Sequence, residues 1–234
     1  MTPDDEPKTK HPPARRRRSR GVPLSILLPL VALVAIVGSM TLLIVSSRSA
    51  QSLPGNVQSK AVTGFDGQVL EPIKPAPSFA GLRNYFGEPV SLTAYRGKAV
   101  LVTFLYTHCP DICPLITSQL HNTLEKLGPQ RARQVQIVAV SVDPKGDTPQ
   151  TVAAFLKAHA MTGRMKFLTG SVGELAPVWK SWNVGTTRDA GNPDLIAHTA
   201  LVYGVSASGK LMTIYSNDFG PSEIIHDLPK LLQG

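Results

Sequence analysis

The run KAVLVTFLY, Lys98–Tyr106, is apolar and β-branched, with no alternation of polar and apolar positions. A strand with one wet face alternates with a period of two; a strand without alternation is covered on both faces. A chain holding such a run must lay other elements over both sides of a sheet, which points to the α/β class. The neighbouring sequence supplies those elements. VQIVAVSV reads as a second buried strand and MKFLTG as a short third. Between the first and second strands, PLITSQLHNTLEKLG is helical, with Ile116, Leu120, Leu124 and Leu127 on one face and Gly128-Pro129 as its stop. DTPQTVAAFLKAHA opens on Asp147 or Thr148 as a cap, and VGELAPVWKSWNV forms a further helix. HTALVYGV and KLMTIYS flank SASG as a hairpin whose first strand opens at His198. SEIIHDLPKLLQ closes the chain as a helix, and GQVLEPI and EPVSL read as short extended pieces. Together these predict a mixed sheet with helices on both faces.

The N-terminal part has a different character. Residues 1–22 form a basic tail: the chain carries a formal charge of +8, and a net +4 of it lies in residues 1–20. Residues 23–45 contain no charge over 23 positions, and about 20 apolar residues suffice to cross a bilayer as a helix. Arg15, Arg16, Arg17, Arg18 and Arg20 precede this stretch. The positive-inside rule therefore predicts a single-pass transmembrane anchor in the cell membrane, N-terminus cytoplasmic and everything beyond it extracytoplasmic. A cleaved signal peptide has an apolar region of only about 7–15 residues, shorter than this one. Residues 46–60 are Ser-rich, contain Pro-Gly and read as a flexible linker, leaving 61–234 as one domain. The remaining positive charge is scattered, with no basic stripe or aromatic ladder, which argues against nucleic acid as a partner.

Both cysteines of the chain lie in TFLYTHCPDICPLI, directly after the first buried strand. They could staple the fold, exchange electrons or hold a metal. A bridge over so few residues closes a very small loop and removes little entropy from the unfolded chain, so stapling is the weakest of the three. A helix beginning with Asp111 as cap and Ile112 as first residue puts Pro114 in the first turn, where proline is tolerated. Cys113 then sits in that turn and Cys109 in the loop before it. Both face the unpaired N–H groups of a helix N-terminus, which favour thiolate. The pair is expected to face solvent.

YTHCPDICP, SVDPKGDTP and AHTALVYG resemble the SCO/SenC family, the membrane-anchored thioredoxin-fold proteins of cytochrome c oxidase copper assembly. The resemblance covers nearly all of the exported part. It implies a thioredoxin-like mixed sheet flanked by helices, and a copper site made by Cys109, Cys113 and His198. It also implies a metallochaperone, with thiol–disulfide reductase activity as a possible addition, that delivers copper to the CuA site or reduces the cysteines of that site. The partners that follow are a CuA-bearing oxidase subunit, a copper donor protein and an external thiol reductant. Two thiolates select Cu(I), and an added imidazole lets Cu(II) bind as well; zinc accepts the same donors. The same cysteines, as a redox-active pair, could reduce a disulfide.

The sequence departs from the family at two places: Ala197 stands where an Asp is usual, and VSASGK replaces an Asp-Pro-x-Gly hairpin. His108 reads as a loop residue, and His121, His159 and His226 as surface positions. Asp143 and Asp147 read as turn and cap residues. The competing function is an extracytoplasmic thiol–disulfide oxidoreductase or peroxidase of the same fold. Thioredoxin-type reductases favour a two-residue spacer, however, and a peroxidase needs an arginine near its cysteine; Phe104–His121 contains none. A copper-sensing or storage module would need a further ligand cluster, which the sequence lacks.

Overall fold

A computed structural model of the protein describes residues 64–79, 81–192 and 195–234. The tail, the apolar stretch 23–45 and the linker 46–60 lie outside the described residues. Among the described residues no helix is long and apolar enough to cross a membrane.

The first buried run forms β3 (Ala99–Leu105), and all seven of its residues are buried. Each such aliphatic side chain taken from water contributes about 1.5–3 kcal/mol, so this strand has to lie in the middle of the sheet. It does. β3 pairs in parallel with β4 (Val135–Ser141), which pairs in parallel with β5 (Met165–Thr169). On its other side β3 pairs antiparallel with β8 (Val202–Val205), which pairs with β9 (Lys210–Tyr215), as the SASG hairpin requires. β1 (Gln68–Pro75) and the two-residue β2 (Arg83–Asn84) complete the edges, giving the order β1-β9-β8-β3-β4-β5-β2. EPVSL is not a strand: it contributes one isolated bridge, Pro89 to Arg83, and then a short 3-10 turn, Leu92–Tyr95.

The helices flanking the sheet are α1 (Ile112–Ala132), α2 (Pro149–Ala158), α3 (Val172–Ser181) and α4 (Pro221–Gln233). α1 and α4 pack on one another. Asp111 caps α1 and Thr148 caps α2. α1 does not stop at Gly128-Pro129. The chain breaks there, with Gly128 at φ 71° and ψ 168°, and resumes a last helical turn to Ala132. Trp182 closes α3, stacking on Phe79 and meeting Tyr203 edge-on at 5.2 Å.

A separate two-stranded ribbon, β6 (Thr186–Arg188) with β7 (Ile196–His198), stands outside the main sheet. His198 therefore ends a short strand and does not open the hairpin; β8 starts only at Val202.

Candidate metal centre

The centre is built where β3 ends. The chain leaves Leu105, turns through Tyr106 to Asp111 and enters α1 at Ile112. This turn is pinned by the β4–α2 loop: the buried Asp147 accepts the Thr107 N–H at 2.8 Å through one oxygen and the Ser141 hydroxyl through the other. Burial pushes the Asp147 carboxyl up to about 6 despite these donors. Asp147 is thus more than a turn residue, since it holds the loop that carries Cys109.

Both thiols are free, and both are buried: Cys109 is 7% exposed and Cys113 is fully covered. The expectation of a solvent-facing pair is corrected here. Tyr106 and the helix itself cover the sulfurs, because a turn packed against the end of a central strand joins the core. The N–H of Cys113 donates to Cys109 Sγ at 3.3 Å, so one of the free donors of the helix N-terminus points at that sulfur. The Cys113 thiol also donates to Cys109. That thiol and the N–H hold the Cys109 thiol far below its ordinary value, at about 4, while burial opposes them. Cys113 is shifted the other way, since giving up its proton would lose the bond to Cys109 and bury a second charge. At neutral pH the pair is one thiolate and one thiol.

The ribbon brings His198 to the cysteines. Its Nε2 lies 3.6 Å from Cys113 Sγ, across 85 residues of sequence. Its Nδ1 faces the carbonyl of Thr199 at 3.1 Å; with the proton on Nδ1, the Nε2 lone pair points at the sulfur. That carbonyl orients the ring in this chain. Ala197 is exposed, alternating with the buried Ile196 along β7, so its side chain turns away from the cysteines. Tyr106 was missed in the sequence. Its ring meets His198 edge-on at 5.8 Å, and its hydroxyl accepts the Ile196 N–H at 3.3 Å. Period two from Phe104, within the buried run, was the available signal.

A metal bound at about 2.3 Å by sulfur and about 2.0–2.1 Å by nitrogen separates those two atoms by about 3.6 Å at a tetrahedral angle. Cys113 and His198 stand at that separation. The third donor is less close. Among the described residues, only Asp66, His226 and Asp227 bring three ligand atoms all within 4.8 Å of one another. The Cys109–Cys113–His198 triangle is therefore open on an edge that includes Cys109. The donor set of two sulfurs and an imidazole fits a soft ion.

The other candidates fall elsewhere. His108 is an exposed loop residue beside Thr107. His121 contacts Arg164, and His159 contacts the Phe155 carbonyl. His226 is exposed and pairs with Asp66 and Asp227. Asp143 is buried and accepts Arg188 Nη2 at 2.6 Å, which no local pattern announced.

The sequence model of the SCO1/SenC family matches residues 75–233. Apo Sco1 from Thermus thermophilus is 32% identical, with a TM-score of 0.62 over 73% of this chain and 99% of that one. ScoI of Bradyrhizobium japonicum, solved with copper bound, is 30% identical, with a TM-score of 0.58 over 68% and 99%. BsSco, in which a disulfide switch was identified and which is described as one of the Sco cytochrome c oxidase assembly proteins, is 27% identical, with a TM-score of 0.57 over 70% and 97%. On the family match, the shared thioredoxin-like sheet and its flanking helices, the chain belongs to the SCO1/SenC family.

Proposed function

We propose that this protein is a membrane-anchored copper carrier for cytochrome c oxidase assembly, holding one copper ion through Cys109, Cys113 and His198. The observation that carries the reading is the approach of His198 Nε2 to Cys113 Sγ at 3.6 Å. The copper-bound relative supports the choice of ion over zinc. The thiolates serve Cu(I), and the imidazole extends the site to Cu(II). Loading would require Cys109 Sγ to approach the other two donors and Cys113 to release its proton to solvent. A three-donor site leaves room for an acceptor's ligand, which suits an ion that is cargo and is handed to the CuA-bearing oxidase subunit. A copper donor protein and an external thiol reductant complete the cycle, because both sulfurs must be reduced before loading. The anchor is residues 23–45, with the domain extracytoplasmic.

A second reading keeps the fold and changes the chemistry, with the pair reducing the cysteines of the CuA site instead of metallating it. The disulfide switch of BsSco and the Cys109 thiolate favour it. Anaerobic titration of the reduced protein with Cu(I) and with Cu(II) separates the two. A carrier binds one equivalent, and Cys109→Ser, Cys113→Ser and His198→Ala each weaken it. A reductase turns over a disulfide substrate and tolerates His198→Ala; that result without one-equivalent binding would end the carrier reading.

A further inference from the structure

The ribbon that carries His198 makes no ladder with the main sheet. It also lies over incomplete packing. A cleft of about 210 Å³ is lined by Val142, Trp179, Thr186, Arg188 and Ile196. From the ribbon, Ile196 is buried in the core, and polar contacts add to the hold on its position. One is the Ile196 N–H to the Tyr106 hydroxyl, long at 3.3 Å. A far shorter one is the Arg188–Asp143 ion pair, at 2.6 Å. Arg188 stands directly opposite Ile196 in the ribbon, and Thr186 opposite His198, so the pair grips β6 two residues from the ligand's own register. The Asp143 side chain is only 7% exposed. A buried carboxylate that loses its cation is left uncompensated, so the pair resists opening.

Asp143 lies on the same β4–α2 loop as Asp147. That loop thus holds both halves of the site: Asp147 takes the Thr107 N–H before the cysteines, and Asp143 takes Arg188 in the ribbon. We propose that Arg188 is a positioning residue whose ion pair with Asp143 sets the distance from His198 to the cysteines and thereby decides how tightly the site holds Cu(II). This rests on the copper reading. Cu(I) is satisfied by the two thiolates, whereas Cu(II) needs the imidazole. Loss of the fastener should weaken Cu(II) selectively.

The test uses the reduced full-length protein with Cu(I) and Cu(II) under competing chelators, and the variants Arg188→Met, Arg188→Lys, Asp143→Asn and His198→Ala. Arg188→Met and Asp143→Asn should each lower Cu(II) affinity about 10–100-fold, the usual effect of removing a partner that orients a ligand. Cu(I) affinity should stay within about twofold, the scatter of uncoupled sites. Arg188→Lys should restore part of the loss. In the His198→Ala background, Arg188→Met should have no further effect; an equal loss there would mean general destabilisation and would overturn the proposal. Amide hydrogen exchange of the metal-free protein provides an independent readout. Arg188→Met should speed exchange in Thr186–Arg188 and Ile196–His198 while leaving β3 unchanged. Unaltered ribbon exchange refutes the fastener whatever copper does. If His198→Ala leaves Cu(II) affinity at the wild-type value, the ligand assignment fails, and the exchange result still decides whether Arg188 holds the ribbon.

Discussion

Asp147 is a carboxylate inside the protein, and its donors only partly offset its burial. Its folded value of about 6 lies above the roughly 3.9 of an unfolded Asp. Between these values the native state holds the extra proton, so this group's contribution to stability falls as pH rises from about 4 to 6. A shift of that size corresponds to about 3 kcal/mol. Asp147→Asn keeps the shape without the charge. Its melting temperature in the metal-free state should exceed that of the wild type at pH 7.5 and meet it near pH 4. Cys109 titrates in the same range with the opposite sign, so the difference between the two melting curves is the quantity to follow. A difference that stays flat across pH 4–6 refutes the account. Asp147→Ala strands the Thr107 N–H and should melt lower at every pH. At this scale the cysteines, the Asp111 cap and His198 were legible because each is a residue type in a motif. The Thr199 carbonyl was not, since a backbone acceptor has no side-chain signature. Nor was Arg188, whose partner lies 45 residues away.

The elements that could be read were those with a strong period or a long apolar run, such as β3, β4 and α1. The ribbon could not, because strands of three residues, TTR and IAH, show no periodicity. The break between His198 and Val202 is also silent: Thr199, Ala200 and Leu201 contain neither Gly nor Pro, so the apolar run reads straight through it. In α1 the opposite happened, and a strong punctuation mark only bent the element. Gly128 at φ 71°, ψ 168° occupies a region that is essentially glycine's alone, and Pro129 forbids a straight continuation. Gly128→Ala should therefore cost about 1–3 kcal/mol in chemical denaturation, with copper binding retained, because the break lies at the far end of α1 from Cys113. A neutral substitution would show that the break is not required.

For the whole molecule, the α/β class followed from a single strand that needed cover on both faces, and the seven-stranded order places that strand at the centre. The proposed membrane anchor is tested at this scale. The full-length chain should sediment with membranes and stay there through an alkaline carbonate wash, while a chain starting at residue 61 should remain in the supernatant. An intact protein whose N-terminus, read by mass spectrometry, begins after residue 45 would replace the anchor with a cleaved leader.

The borders of the sheet carry a last consequence. β2 offers two residues, and β1 carries Pro72, Lys74 and Pro75, with its register shifting between Val69 and Lys74. Neither rim presents the long, regular row of amides that another copy could zip onto. Neighbouring molecules should therefore slide past one another without fusing into fibrils, however densely they are packed.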